Sequence, residues 1–521
     1  MQLKTNNRFS AELPADVNET NVTRQVLNAA FSYVNPRIPS KPKLVHATEE
    51  VADLIGISKE KMQSNDFLEL FSGTKVLTDS RPYAMAYAGH QFGNWAGQLG
   101  DGRAIVLGEV NHNNQNWMLQ LKGAGSTPYS RRADGLAVLR SSIREHLCSE
   151  AMHYLGVPTT RSLSLILTGD EVLRDVMYDG NADYEKGAVV CRVAPTFIRF
   201  GNFELFSAQN DIENLKKLTD FTIKYHYPII QSEGKEKYIE FFKLVAENTR
   251  KMIIDWQRVG FVHGVMNTDN MSILGLTIDF GPYGWLEDYN PDWTPNTTDK
   301  AHRRYRFGNQ PDVAQWNLFQ LANALYPLIE EAADLEKILN DFKTTFDIEY
   351  IEMMKSKLGL EKQNENDEKL IADLEQVLQL SETDMTIFFR SLSTIKKDTS
   401  AKDGISIVNN AFYNPKEIAT SIAENWGNWF GKYINRIGIE ENTDAIRKEK
   451  MNAVNPKYVL RNYMAQLAID AANDDDYTII SELHEVLKKP YEEQAEFEKW
   501  FAKRPEWARI KIGCSMLSCS S

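Results

Sequence analysis

The segments HGVMNTDN (263–270) and IDFG (278–281) carry the residues that decide the fold of this chain. Asn270 and Asp279 offer an amide oxygen and a carboxylate, which are the hard oxygen ligands that Mg²⁺ prefers. The run ILGLTI (273–278) is apolar and predicts a buried strand that ends at Asp279. We therefore expect Asp279 to be an exposed cleft carboxylate, held at the end of a rigid element.

The spacing within these segments matches the pattern H-x-D-x-x-x-x-N followed by D-F-G, which is typical of protein kinases. The match fails at one place, because the position two residues after His263 is Val265. A kinase uses the aspartate at that place to orient and deprotonate the attacking hydroxyl, and valine cannot do this. Two alternatives follow: the chain is catalytically inactive, or it binds its substrate differently and Asp269 is the base.

Upstream of these motifs, the sequence predicts two strands, RAIVLGEV (103–110) and WMLQLK (117–122), joined by the polar turn NHNNQN. The stretch GQLGDGR (97–103) precedes them. Glycines such as Gly100 and Gly102 allow a backbone to approach phosphates closely, although a plain hairpin turn also explains them. Arg103, directly after this turn, adds a cation that could pair with phosphate.

Lys122 ends the second predicted strand, and a helix is predicted over residues 135–155. That helix is apolar on two sides, so Glu145 within it is expected to be buried and to need a partner. Lys122 is the natural partner. Asp134 and Gly135 precede the helix, where they could cap it or contact a nucleotide.

Two arginines, Arg192 and Arg199, lie near the end of the strand-rich half of the chain. Such arginines are commonly salt-bridged surface residues, but phosphates also need planar, bidentate donors. The order of strands before helices predicts an α+β fold. We expect a strand-rich lobe over residues 1–200, a helical lobe over 201–430 and a helical C-terminal extension over 431–521.

The composition of the chain disfavours some classes of ligand and some cellular compartments. The chain has 521 residues and a formal net charge of −13, which argues against nucleic acid or an anionic membrane as its main ligand. We find neither a signal peptide nor a long apolar run, so we expect a cytoplasmic protein. The four cysteines form no CxxC pair, which favours a reducing compartment. Cys519, third from the C-terminus, is expected to be exposed and redox-reactive.

Long stretches of the chain resemble the selenoprotein O family of protein adenylyltransferases. The resemblance is carried by SRPYAMAYAGHQFGNWAGQLGDGRAIVLGE (80–109), LQLKGAGSTPYSRRADGLAVLRSSIREHL (119–147), FVHGVMNTDNMSILGLTIDFGPYGWLEDY (261–289) and NPKYVLRNYMAQLAI (455–469). It implies a protein-kinase-like, two-lobed fold with ATP bound in an inverted orientation. It also implies transfer of AMP, with Mg²⁺ or Mn²⁺, to Ser, Thr or Tyr of proteins. Some bacterial members of the family are linked to UMP transfer.

The resemblance also implies roles for single residues. Asp269 would be the base, Asn270 and Asp279 the metal ligands, and Glu145 the partner of Lys122. Asp279 would also lie near ATP. The other nucleotide contacts would be Gly100, Gly102, Arg103, Lys122, Asp134, Gly135, Arg192 and Arg199. Cys519 stands where eukaryotic members carry selenocysteine, and residues 288–299 contain no cysteine to which it could be linked.

Two other functions compete with AMP transfer. A phosphotransferase of the kinase type is disfavoured by Val265. A non-catalytic, nucleotide-binding scaffold is disfavoured because Lys122, Glu145, Asn270 and Asp279 occur together, and a scaffold does not need metal ligands.

Overall fold

An antiparallel sheet dominates the first part of the chain in the computed structural model, which describes residues 3–176, 180–418, 422–514 and 516–518. The strands are β1 (Phe31–Tyr33), β2 (Lys43–Ala47), β3 (Tyr83–Met85), β4 (Ala88–Gln91), β5 (Asn94–Gln98), β6 (Ala104–His112), β7 (Gln115–Lys122), β8 (Ala137–Val138), β9 (Arg161–Arg174), β10 (Asp183–Ala194), β11 (Phe261–Val262) and β12 (Gly284–Trp285). The main sheet has the order β1-β3-β6-β7-β10-β9-β2, with β8 paired to β10. Strands β4 and β5 form a separate hairpin.

The hairpin of β6 and β7 determines where Lys122 lies. Both strands are longer than the sequence predicts, because the turn needs only Asn113 and Asn114, which have positive φ angles of 50° and 61°. Asparagine tolerates this left-handed conformation, and two-residue hairpin turns favour it. In the resulting register, Ala104 pairs with Lys122. The last residue of β7 therefore lies beside the first residue of β6.

Helices dominate the chain after residue 200, and no helix in the described part is both long and apolar enough to cross a membrane. The helices are α1 (Arg8–Glu12), α2 (Glu49–Leu54), α3 (Lys59–Met62), α4 (Asn65–Phe71), α5 (Leu139–Tyr154), α6 (Phe200–Ala208), α7 (Ile212–His226), α8 (Gly234–Val259), α9 (Gln310–Ile329), α10 (Ala332–Leu358), α11 (Asp367–Leu378), α12 (Met385–Leu392), α13 (Ala401–Ile407), α14 (Pro415–Ile418), α15 (Ala423–Gly438), α16 (Asp444–Val454), α17 (Asn462–Asn473) and α18 (Thr478–Leu487). The fold is thus mixed α and β, with a helical C-terminal region. One face of the sheet shares a core with α5, α8 and α9.

Helix α5 begins later than the predicted residue 135. Ala137 and Val138 instead pair with β10, so the residues predicted to form the first helical turn belong to the sheet. Asp134 consequently does not cap the helix, whose N-cap is Val138. The Asp134 carboxylate accepts a hydrogen bond from the Leu136 backbone N–H at 2.9 Å and forms an ion pair with Arg174 at 2.8 Å.

The strand predicted over residues 273–278 is also absent. Gly275 turns the chain there with a φ of 67°, and its N–H donates to the carbonyl of Ser272. Only single bridges remain, between Ser272 and Arg199 and between Thr277 and Thr159. The apolar residues of this run are thus buried or half-buried in a loop and not in a strand.

The described chain end lies close to the loop that follows Gly281. The Thr297 N–H donates to the carbonyl of Leu517 at 2.8 Å, and the Leu517 N–H donates to the carbonyl of Pro295 at 3.2 Å. Cys519, which we predicted to be exposed and reactive, lies outside the described residues. Among those residues, Cys148, Cys191 and Cys514 are buried free thiols.

Three histidines join β2, α5 and α18. His46 Nδ1 lies 2.9 Å from His146 Nε2, and the ring of His484 lies 4.6 Å from that of His46, centre to centre. Burial lowers the pKa of His484 to about 3, assisted by the neighbouring charge of His46 and by Lys488 and Arg161. Burial also lowers the pKa of His46 to about 4, against the opposing charge of Glu485. Both rings are therefore neutral in the folded protein at neutral pH.

This cluster predicts acid lability. A histidine in the unfolded chain binds a proton below a pH of about 6.5, whereas His484 in the folded protein stays neutral. The stabilising contribution of His484 is therefore present above that pH. It is lost as the pH falls toward the pKa of His484 in the folded protein. When the pH is lowered from 7 to 5, the unfolding free energy of His484→Phe should fall by about 2 kcal/mol less than that of the wild type. Urea denaturation at both pH values measures this. The exposed His302→Ala is the control, and equal acid slopes for His484→Phe and wild type would contradict the prediction.

Candidate active site

The side chain of Lys122 connects the sheet to the segments that decide the fold. Its Nζ lies 2.8 Å from Oε2 of Glu145 on α5 and 3.4 Å from Oδ1 of Asp279. All three residues are largely buried, and Asp279 is the most accessible, with 20% of its side chain exposed. The sequence order of strand lysine, helix glutamate and loop aspartate thus corresponds to one cluster of charges.

Arg192 and Arg199 lie in the same cluster and are almost fully buried. Arg192 Nη1 donates to Asp279 Oδ1 at 2.6 Å and to Glu145 Oε1 at 3.1 Å. Arg199 Nη1 donates to Asp279 Oδ2 at 2.6 Å and to the carbonyl oxygen of Asp269 at 2.7 Å. The alternative that they are surface residues is therefore wrong, because both arginines are buried and both bind the carboxylate of Asp279.

Three cations thus converge on Asp279. Burial by itself would raise the pKa of this carboxyl, but Arg199, Arg192 and Lys122 outweigh that effect and hold it well below its usual range. Asp279 also has a positive φ of 57°, an uncommon conformation for a residue other than glycine. The expectation of an exposed carboxylate at a strand end was wrong, because Asp279 is largely buried and follows a loop. Asp279 is a structural counterion as well as a candidate ligand.

The glycine-rich stretch 97–103 connects the β4–β5 hairpin to β6 and is not itself a hairpin turn. A Cβ at Gly100 would lie 2.4 Å from the ring of Tyr129, and one at Gly102 would lie 2.9 Å from the carbonyl oxygen of Tyr129. Packing against Tyr129 therefore suffices to explain both glycines. The sequence offered no signal for this, because Tyr129 follows in a separate loop.

Two backbone hydrogen bonds tie the other predicted nucleotide contacts to the residues that follow Lys122. The Gly123 N–H donates to the carbonyl of Arg103 at 2.7 Å, and the Gly125 N–H donates to the carbonyl of Gly135 at 3.1 Å. Both segments therefore flank the end of β7. Asp134, by contrast, makes its ion pair with Arg174 on β9, outside the cluster around Asp279.

Asp269 lies in a short 3-10 turn, Thr268–Asn270. Its Oδ2 accepts a hydrogen bond from Gln91 Nε2 at 3.1 Å, and its Oδ1 is buried without a hydrogen-bond partner among the described residues. Burial raises the pKa of Asp269 to about 7, although the bond from Gln91 and the charge of Arg199 oppose the shift. A buried carboxylate with one free oxygen is suited to accept a proton near neutral pH.

The β4–β5 hairpin packs directly on this turn, which the sequence did not reveal. The His90 N–H donates to Thr268 Oγ1 at 2.7 Å, and the Phe92 N–H donates to Asn267 Oδ1 at 3.1 Å. The buried carboxylate of Glu204 contacts both His90 Nδ1, at 2.7 Å, and Thr268 Oγ1, at 2.5 Å. Glycine at position 89 could have served as a signal, because a Cβ there would lie 2.8 Å from Thr268 Oγ1.

The predicted metal ligands suit a divalent cation in their donor chemistry. Asn270 donates its amide N–H to the carbonyl of Val265 at 2.9 Å, which leaves its side-chain oxygen available. Asp279 is bound to cations through both oxygens, yet each carboxylate oxygen has a second lone pair. Among the described residues no group of three or more His, Cys, Asp or Glu side chains could hold a metal. A metal here would therefore need further oxygen ligands, such as phosphate.

Comparison with known proteins identifies a family for this chain. A family model described as "Protein adenylyltransferase SelO" matches residues 16–488. The chain is 64% identical over 519 residues to the protein nucleotidyltransferase YdiU of Flavobacterium johnsoniae, covering 100% of this chain and 99% of the relative. It is 53% identical over 536 residues to the protein of the same name from Rhodopirellula baltica, and 52% identical over 524 residues to that from Aromatoleum aromaticum, with 100% of this chain and 99% of each relative covered.

The family model and these relatives span almost the whole chain, so the class of protein they define is an enzyme, a nucleotidyltransferase. The chain belongs to the SelO family of protein adenylyltransferases.

The charge cluster predicts that Asp279 stabilises the fold. Its removal leaves Lys122, Arg192 and Arg199 buried with one counterion fewer, which typically costs about 3 kcal/mol or more. We expect Asp279→Ala to lower the free energy of unfolding by about that amount, measured by urea denaturation. Asp134→Ala, which removes an exposed ion pair, is the control and should change the free energy by less than about 1 kcal/mol. Equal effects of the two substitutions would be inconsistent with the structural role of Asp279.

Proposed function

We propose that this chain transfers AMP from ATP to Ser, Thr or Tyr hydroxyls of proteins, with Asp269 as the base. One observation carries the proposal. The place of the kinase aspartate is the buried Val265, while Asp269, four residues further on, has a carboxylate oxygen without a hydrogen-bond partner in the described chain. The family and its named relatives support nucleotidyl transfer.

The proposed reaction uses the two oxygens of Asp269 differently. Oδ2 is held by Gln91, whereas Oδ1 is free to accept the proton of the acceptor hydroxyl. The hydroxyl oxygen forms a bond to the α-phosphorus of ATP. The bond between the α-phosphorus and the oxygen bridging to the β-phosphate breaks, and pyrophosphate leaves with the electron pair. Because the pKa of Asp269 is about 7, a substantial fraction of the base is ionised at neutral pH.

The buried cations would bind the triphosphate. Asp279 is the shared anionic partner of Lys122, Arg192 and Arg199. A triphosphate would offer these cations a second anionic partner. Arg103 would add a further positive charge at the edge of this cluster, and the pyrophosphate leaving group would be stabilised electrostatically. The remaining proposed contacts are Gly100 and Gly102, and Asp134 with Gly135. This arrangement is consistent with ATP bound in an inverted orientation, its γ-phosphate at the arginines.

Asn270 and Asp279 would hold Mg²⁺ or Mn²⁺. A bound ion would neutralise charge on the phosphates and on the Asp279 carboxylate. The relatives are named nucleotidyltransferases, and this name does not specify the nucleotide that donates the group. UTP is therefore a second candidate donor.

We further propose a protein-kinase-like organisation in two lobes. The main sheet ends with β10 at Ala194, before helix α6 begins at Phe200, which supports a strand-rich lobe up to about residue 200. Helix α15 (Ala423–Gly438) runs through residue 430. The helical C-terminal extension is therefore better placed after Gly438 than at residue 431.

Isotopic labelling tests the reaction. With a generic acceptor protein, label from the α-phosphate of ATP should appear on Ser, Thr or Tyr, and label from the γ-phosphate should appear in pyrophosphate. General-base assistance is worth about 10²–10⁴-fold, so Asp269→Asn should slow transfer by about that factor while ATP still binds. Parallel reactions with UTP report the preferred donor. Protein labelled only from the γ-phosphate would establish a phosphotransferase, and no label from either nucleotide would favour a scaffold.

The pH dependence tests the base separately. Because Asp269 must be ionised to accept a proton, kcat/KM should rise with pH and level off above a midpoint near 7. The Gln91 hydrogen bond lowers the pKa of Asp269, so Gln91→Ala should move this midpoint to higher pH. Gln98→Ala changes a side chain of the same hairpin that bonds Val26 and Arg24 instead, and should leave the midpoint in place. A wild-type profile without a midpoint near 7 would count against Asp269.

A further inference from the structure

A short basic segment stands out in this acidic chain. Five of the seven residues in KAHRRYR (300–306) are basic, although the whole chain has 59 lysines and arginines against 72 aspartates and glutamates. Lys300, His302 and Arg303 are exposed, while Arg304 and Arg306 are half-buried. We refer to residues 300–306 as the basic segment.

The basic segment is attached to the surroundings of Asp269 through its one buried aromatic residue. Tyr305 donates its hydroxyl proton to Asn267 Oδ1 at 2.5 Å, and its hydroxyl oxygen accepts the Phe92 N–H at 2.9 Å. Asn267 begins the turn that carries Asp269, and Phe92 follows Gln91, the residue bonded to the Asp269 carboxylate. Tyr305 therefore fixes the segment to both elements that surround the proposed base.

The carboxylate of Asp299 helps to hold the turn of the basic segment. Asp299 accepts the backbone N–H groups of Arg304, at 3.0 Å, and Tyr305, at 2.7 Å. Arg303 has a positive φ of 46°, and its side chain is exposed. The fold thus holds the backbone of the segment in place while the side chains of Lys300, His302 and Arg303 stay exposed.

Most of these cations lack an anionic partner. Arg306 pairs with Asp292 at 3.0 Å, whereas Lys300, Arg303 and Arg304 form no ion pair with any carboxylate in the described ranges. The guanidinium of Arg304 lies 4.5 Å from the centre of the Trp316 ring, and its Nε and Nη2 are buried without a hydrogen-bond partner among the described residues. In a chain with excess carboxylates, exposed and unpaired cations such as Lys300 and Arg303 point to a partner outside the chain.

An exposed aromatic residue lies on the hairpin that contacts the basic segment. Gly93, at the tip of the β4–β5 hairpin, is so close to Arg304 that a Cβ there would lie 3.3 Å from the guanidinium carbon. Trp95, on β5 of the same hairpin, has 46% of its surface exposed, and its ring lies 5.0 Å from that of His90. Aromatic and arginine side chains are the residues that most often anchor a protein partner.

We propose that the basic segment and Trp95 form the docking surface for the acceptor protein, and that they bind an acidic stretch flanking the modified hydroxyl. The proposal rests on the proposed function and names its substrate class. Opposite charge would steer such an acceptor toward the surface and fix its register beside Asp269. The buried cations around Asp279 would remain free to bind the triphosphate, so acceptor and nucleotide would use separate groups.

The test compares two acceptor peptides with the same central Ser and Tyr, one flanked by Asp and Glu and the other by Lys and Arg. We expect the wild-type full chain to modify the acidic peptide with a kcat/KM at least about 10-fold higher, a preference that shrinks in about 0.5 M salt because surface charges are screened. The double variant Lys300→Glu/Arg303→Glu should raise KM for the acidic peptide about 10-fold and leave KM for ATP unchanged. Lys448→Glu, an exposed charge reversal on α16, is the matched control and should change neither constant.

Three results would overturn the proposal. Equal kcat/KM values for the two peptides would refute the proposed docking surface but would not contradict AMP transfer. A rise in KM for ATP in the double variant, with the peptide preference unchanged, would assign the segment to nucleotide binding. If the wild type transferred AMP neither to the peptides nor to a generic acceptor protein, the proposed function itself would fail, and this inference with it.

Discussion

The structure depends on one buried carboxylate. Asp279 receives hydrogen bonds from Arg192 and Arg199, and Lys122 lies 3.4 Å from it. Buried charges are costly unless they are paired, so these side chains hold one another in place. Through them the sheet, helix α5 and the loop after His263 are joined at one point. The residue that the sequence marks as a metal ligand is therefore also the counterion that holds three elements together.

This double role has a chemical consequence. A site that must bind a triphosphate needs several cations, and without a nucleotide those cations would repel one another. Asp279 and Glu145 compensate them in the structure described here. A nucleotide with its metal would bring both a new anion for the arginines and a cation for the carboxylate. The charges of the site can therefore stay balanced before and after binding.

Burial and one hydrogen bond together set the pKa of Asp269, the proposed base. The β4–β5 hairpin covers the 3-10 turn, which removes water and raises the pKa of the carboxyl, while Gln91 bonds only one of its oxygens. The same hairpin touches Arg304 of the basic segment through Gly93. One element thus contacts both the proposed base and the proposed docking surface, so the position of an acceptor would be linked to that of the base.

The sequence by itself determined the local features of this protein. Two strand-like runs joined by a polar turn predict β6 and β7. The order of Lys122, Glu145 and the segment 263–281 indicates residues that lie together in the structure. The substitution at Val265 and the nearby Asp269 could be read directly. These features depend on neighbouring residues or on long motifs, which one sequence contains in full.

Only the tertiary structure decided which distant residues complete the site. Gln91 and Asp269 are 178 positions apart, and Arg199 and Asp279 are 80 positions apart, so no local pattern relates them. The late start of α5 and the loop at 273–278 arose because pairing with β10 and the turn at Gly275 outweighed helical and strand periodicity. Gly100 and Gly102 are required by Tyr129, a contact between separate loops. Packing between elements remote in the chain settles such choices, and the sequence of one element does not specify its neighbour.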